Sequence, residues 1–178
     1  MNIEPGDKII VTGEIGRHGL AVLAKRKELG FGFNIKSDCA ALNGLIIPIL
    51  EKTGAIKFMR DPTRGGVATT LNEIAEGANL GITIEEKNIP ISGKVRAASE
   101  LLGIDPLYIA NEGIAILAVE KNSAGKILAL LKKHPLGRNA REIGVIKREA
   151  RGQVMLNTII GTQRIVDMLT SEPLPRIC

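Results

Sequence analysis

Three groups of residues in this chain have types and spacings that suit chemistry. The first is the last residue, Cys178, which follows Pro173 and Pro175. Both prolines oppose helix and sheet pairing, so residues 168–178 are expected to form a mobile arm, about 35 Å long if fully extended. The chain's own terminal carboxylate sits beside the thiol and disfavours the thiolate. Cys178 therefore reads as a handle on which another group is carried, not as a self-activated nucleophile. The second is Glu112 in Ala110-Asn111-Glu112-Gly113. Between two apolar segments it could act as a general base, or the stretch could be an ordinary turn.

The third group is a pair of glycine-rich loops. Gly13-Glu14-Ile15-Gly16-Arg17-His18-Gly19 and Asp61-Pro62-Thr63-Arg64-Gly65-Gly66 each follow an apolar strand pattern and precede a helical one. A strand-loop-helix junction aims backbone N–H groups at an anion. Arg17, His18, Thr63 and Arg64 could add side-chain donors there, and Asp61 could hold a hydroxyl or a metal-bound water. Both loops also make sense as tight turns, the second as an Asx-Pro turn with a helix cap. Neither is G-x-G-x-x-G nor a Walker P-loop. The two histidines, His18 and His134, have no Cys/His cluster at ligand spacing, so no metal site is expected. His134, before Pro135, is expected to interact with the last carbonyls of a helix.

The elements that position these groups are interleaved. Residues 8–12 read as a buried strand, and a helix over 20–29 closes at Gly30. Ser37-Asp38 is an N-cap signal for a helix carrying Ala41, Leu42, Leu45, Ile46, Ile49 and Leu50 and ending near Gly54; Cys39 falls in this apolar pattern and is expected in the core. Residues 56–59 and 82–85 read as strands, and 67–78 and 94–102 as helices. Residues 107–110 and 114–119 look like a strand pair around Asn111-Glu112-Gly113. Asn122 or Ser123 caps a helix to about Lys133. Residues 142–147 and 154–157 read as a hairpin, and 163–169 as a last strand or turn. The mixture predicts an α+β fold, with a mixed sheet flanked by helices.

The chain has 178 residues and two cysteines, enough length for a core without disulfides. It carries no signal-peptide pattern and no apolar run long enough to span a membrane, which suits a cytoplasmic setting. The net charge is +5, but aromatics are only 2% and the cations are scattered. Nucleic acid is therefore disfavoured, and attraction to an anionic ligand or acidic partner explains the charge more simply.

G-E-I-G-R-H-G, D-P-T-R-G-G-V, A-N-E-G and a terminal P-R-I-C, in this order, resemble the C-terminal half of the HypE family of hydrogenase maturation proteins. That family lies in the PurM-like, AIR synthetase-related superfamily. The resemblance implies a PurM-like C-terminal domain over residues 1–167 and a tail over 168–178. It also implies a further N-terminal domain that supplies most of the ATP and Mg2+ site and the homodimer interface. The implied activity is ATP-dependent dehydration of an S-carboxamide on the terminal cysteine to a thiocyanate, which supplies the cyanide ligands of NiFe hydrogenase. A HypF-like carbamoyltransferase would load the thiol, and iron held by a HypC–HypD complex would accept the cyano group. Cys178 matches the carrier thiol and Glu112 the family's catalytic glutamate. Arg17, His18, Asp61, Thr63, Arg64 and Gly65 would line the substrate and nucleotide cleft. The isolated domain is expected to be inactive. The alternatives are a non-catalytic docking module for maturation partners, or another PurM-like ATP-dependent enzyme acting on a small molecule.

Overall fold

Apolar residues at every position of Lys8–Val11 (β1) after the first leave this strand buried on both faces, and it takes an inner position in the sheet. The structure, a computed structural model, describes residues 2–25 and 34–169. Its other strands are Ile56–Arg60 (β2), Gly81–Glu85 (β3), Ile116–Val119 (β4), Arg141–Lys147 (β5), Val154–Asn157 (β6) and Gln163–Ile165 (β7). They form one sheet in the order β2-β4-β1-β5-β3-β6-β7. Every neighbouring pair is antiparallel except β3 and β6, which run parallel. The sheet is mixed, as the interleaved pattern predicts.

Alternation along the strands divides the core in two. Ile9, Val11, Ile116, Ala118, Ile82 and Ile84 face the helix Gly66–Ala78 (α3), whose Val67, Leu71 and Ile74 are fully buried. Ile10, Leu117 and Val119 face the opposite way, against Asn43–Leu50 (α2) and Ala124–Lys132 (α5). A third cluster joins Arg17–Lys25 (α1) to Gly93–Leu102 (α4) through Leu20, Leu23, Val95, Ala98 and Ile109. Among the described residues no helix is long and apolar enough to cross a membrane.

Four local expectations are corrected. Residues 142–147 and 154–157 are strands but not a hairpin, because β3 lies between them, antiparallel to β5 and parallel to β6. Ile82 and Ile84 are almost wholly buried, and the strand that carries them needs a partner on each side. Residues 107–110 do not pair with β4. Pro106–Tyr108 is a single 3-10 turn, capped by Asp105, whose carboxylate accepts the Leu107 N–H at 2.9 Å. α2 begins only at Asn43, so Ser37-Asp38 caps no helix. Cys39 then falls in an extended stretch and is exposed, not part of the core. His134 meets the end of α5 through its backbone, whose N–H donates to Leu131 O at 3.0 Å, while its side-chain Nδ1 accepts the Leu136 N–H at 3.2 Å. The closing of the first helix at Gly30 and the tail bearing Cys178 lie outside the described residues.

Candidate functional site

Strand register brings the motif loops to one end of the sheet. Val11 and Arg60 both pair with Ile116, on either side of β4. β1 and β2 run antiparallel to β4, so the chain leaves the C-terminal ends of β1 and β2 where it enters β4. Residues 12–16, 61–66 and 111–115 therefore share one rim. Thr12 extends the row, with its Oγ1 accepting the Ala115 N–H at 2.8 Å.

Asn111 ties these loops together. It is 0% exposed. Its Oδ1 accepts the Gly16 N–H at 2.6 Å, and its Nδ2 donates to Ile109 O at 2.8 Å and to Pro62 O at 3.4 Å. Its backbone N–H also donates to Pro62 O, at 3.1 Å. One buried amide thus satisfies polar backbone from both glycine loops, groups that would otherwise be costly to bury. The first turn of α1 is fixed to the same strand entry by Gly19 N–H donating to Ala110 O at 3.1 Å.

A fourth segment joins the rim. The Asp38 carboxylate lies 3.4 Å from the backbone nitrogens of both Glu112 and Gly113, which donate to it. The approach is tight enough that a Cβ on Gly113 would sit 1.7 Å from Asp38 O. Ser37 Oγ lies 2.9 Å from His18 Nδ1 and accepts the Cys39 N–H at 3.0 Å. Arg17 Nε donates to Lys36 O at 3.3 Å. The half-buried Glu112 therefore has its backbone held from both sides, by Asn111 next to it in sequence and by Asp38 across the rim, and its side chain makes no hydrogen bond among the described residues.

The expected site residues fall as follows. Arg17 and His18 open α1 and contact residues 36 and 37. Asp61 and Arg64 are exposed, and Thr63 is half-buried; none of the three side chains has a hydrogen-bond partner among the described residues. Gly65 is the left-handed N-cap of α3, and Gly66 also has positive φ, at 63°. A Cβ on Gly66 would lie 2.5 Å from Leu107 O, so glycine lets α3 start against the 107–109 backbone. The N–H groups of Gly66, Val67 and Ala68 find no acceptor among the described residues, which leaves a partial positive charge at this end of the rim. The arrangement suits an anion near the helix starts and a carboxylate base at Glu112. Among the described residues no group of three or more His, Cys, Asp or Glu side chains could hold a metal ion.

Asn111 and Asp38 escape the sequence reading. The signal for Asn111 is a carboxamide enclosed by the apolar residues Ile109, Ala110, Ile114 and Ala115, where an unsatisfied amide would be costly. Asp38 left no such signal, since its neighbours read as a cap.

The segment leading to the tail is fixed on the α3 face of the sheet. Tyr108 Oη donates to Asp167 O at 3.0 Å, Asn72 Nδ2 donates to Val166 O at 2.8 Å, and Arg164 pairs with Asp105. Burial, and then the nearby Asp105 carboxylate, push the Tyr108 phenol above its usual value near 10.

A seven-stranded mixed sheet with helices on both faces, and glycine loops gathered at one rim, defines a PurM-like domain; a solved structure of which this chain covers 57% shares it with a TM-score of 0.92. The chain belongs to the family of AIR synthase related proteins, C-terminal domain, which it matches over residues 4–157. It is 51% identical over 177 residues to a hydrogenase expression/formation protein of Methanocaldococcus jannaschii, covering 99% of this chain and 52% of that protein. It is 47% identical over 174 residues to carbamoyl dehydratase HypE of Cupriavidus necator, covering 98% and 50%. The chain thus spans about half the length of the curated relatives it matches. Among solved structures, the HypE–HypF complex matches with a TM-score of 0.88 at 46% identity, over 93% of this chain and 54% of that one. HypE in complex with ATP matches with a TM-score of 0.90 at 38% identity, over 96% and 53%.

Proposed function

We propose that this chain is the C-terminal part of a carbamoyl dehydratase, which turns an S-carboxamide on Cys178 into a thiocyanate at the expense of ATP. Relatives named carbamoyl dehydratase HypE, and a HypE structure with ATP, support the reading. The observation that carries it is the Asn111 tie, which gathers both glycine loops beside Glu112 while the root of the tail is bonded at Tyr108, four residues earlier in the same stretch. From Leu169 the remaining nine residues could reach about 30 Å when extended. That length suits an arm that visits both the rim and a partner.

The chemistry follows from the amide. Its oxygen is a poor leaving group, and ATP supplies the phosphoryl group that makes it a good one. Loss of phosphate and of both nitrogen protons then leaves the C≡N bond on sulfur. Glu112 is the base for the nitrogen protons. Arg17, His18, Asp61, Thr63, Arg64 and Gly65 line the substrate and nucleotide side of the rim, with the first N–H groups of α3 offered to developing negative charge. ATP and Mg2+ would be held mostly by a further N-terminal domain, since the described residues include no group of three or more His, Cys, Asp or Glu side chains for a metal ion.

A HypF-like carbamoyltransferase loads the thiol in this scheme; a HypE–HypF complex has been solved for relatives. A HypC–HypD complex accepts the cyano group, the full-length protein forms a homodimer, and the setting is cytoplasmic. The test uses the full-length protein with ATP and the carbamoyl donor system. Cys178→Ala should still bind ATP but yield no thiocyanate by mass spectrometry, and Glu112→Ala should accumulate carbamoylated Cys178 with dehydration slowed about a hundredfold or more. Thiocyanate on the Cys178→Ala variant, or normal turnover by Glu112→Ala, would sink the respective assignment.

A further inference from the structure

A pocket of about 320 Å³ opens between the start of α1 and the start of α4, and its lining is cationic. Arg17, Lys36 and Lys94 contribute positive charge, and Glu14 is the one acid among the described lining residues. None of the three cations has a carboxylate within ion-pair distance among the described residues. Two of them are instead laid across the same backbone: Arg17 Nε on Lys36 O at 3.3 Å and Lys94 Nζ on Asn34 O at 3.4 Å. Arg17 keeps its two Nη groups without a partner among the described residues. Three like charges around one cavity repel each other, and an anion between them relieves that repulsion.

The backbone adds donors. Ser92 caps α4 by accepting the Val95 N–H, while the N–H groups of Gly93 and Lys94 find no acceptor among the described residues. An added Cβ at Gly93 would meet nothing within 4 Å, so the approach to this turn is open. The volume lies at the lower end for small-molecule sites, roughly 300–1,000 Å³.

We propose that this pocket binds a phosphate-bearing small molecule, with Arg17, Lys36 and Lys94 as its cationic ligands and the first N–H groups of α4 as backbone donors. The inference rests in part on the proposed function, because Arg17 also faces the substrate and nucleotide side of the rim; Lys36, Ser92 and Lys94 are what the pocket adds. Calorimetric titration of the 178-residue chain with pyrophosphate at low salt tests it. Binding should appear, weaken as sodium chloride is added, and fall about tenfold or more in the double variant Lys36→Gln/Lys94→Gln. Both side chains are exposed, so the melting temperature of that variant without ligand should match the parent. Titrations with inorganic phosphate and with ATP identify the source. Similar affinity for phosphate and pyrophosphate points to free phosphate, and clearly tighter ATP binding with the same loss in the variant points to a nucleotide. Absence of binding by all three probes overturns the proposal. So does affinity unchanged in the double variant but lost in Arg64→Gln, which would put the anion at the 61–66 loop.

Discussion

The side-chain oxygen of Asn111 accepts the backbone N–H of Gly16 at 2.6 Å, across 95 residues of sequence. The same side chain donates to Pro62 O, so two loops that never meet in sequence are held to one buried carboxamide.

Asn111→Ala should destabilise the domain by about 2–3 kcal/mol, because Gly16 N–H and Ile109 O lose their buried partner, while Pro62 O keeps the backbone N–H of residue 111. Urea denaturation measures this. A loss below about 0.5 kcal/mol would mean that water replaces the amide and that the tie is dispensable. Asn111→Asp keeps the acceptor for Gly16 but turns an oxygen towards Ile109 O and Pro62 O, and should be no more stable than the alanine variant at neutral pH.

Gly113→Ala should force the 37–39 segment away from Glu112, since the new Cβ would lie 1.7 Å from Asp38 O. The expected cost is about 1–3 kcal/mol. Gly125→Ala is the matched control. It lies in α5, where an added Cβ meets nothing within 4 Å, and it should stabilise by up to about 1 kcal/mol. Thermal melts of the two variants should therefore move in opposite directions.

Tyr108 gives a pH signature at the root of the tail. Its phenol is raised in the folded state, chiefly by burial. Its contribution is therefore complete below the unfolded value near 10 and is lost as pH rises through the higher folded value. Stability should fall over that alkaline range, and Tyr108→Phe should flatten the fall while costing about 1 kcal/mol at neutral pH from the lost bond to Asp167 O. Tyr108 is the chain's one tyrosine, so tyrosinate absorbance follows it directly.

Much of the local structure was legible. Residues 67–78 show a helical period, 8–12 an apolar strand, and 61–66 the turn chemistry of Asp, Pro and Gly; the structure has α3 at Gly66–Ala78, β1 at Lys8–Val11 and a loop between β2 and α3. The exposed Cys39 and the late start of α2 were not legible. Residues 37–42 carry a helical apolar pattern, yet Asp38 finds better hydrogen-bonding partners in the backbone of Glu112 and Gly113, more than 70 residues away. The hairpin reading of residues 142–157 failed for a similar reason. The turn residues between β5 and β6 favour a hairpin, but β3 occupies the space between the two strands.

The sequence by itself determined most of the helices, strands and glycine loops, and it singled out Glu112, Cys178 and the two loops, because periodicity, capping and turn chemistry act over a few residues. Only the tertiary structure decided that these loops share one rim, that Asn111 binds them and that Asp38 braces Glu112. Those are contacts between residues dozens of positions apart, set by strand order and register, and no local pattern encodes which strand lies beside which.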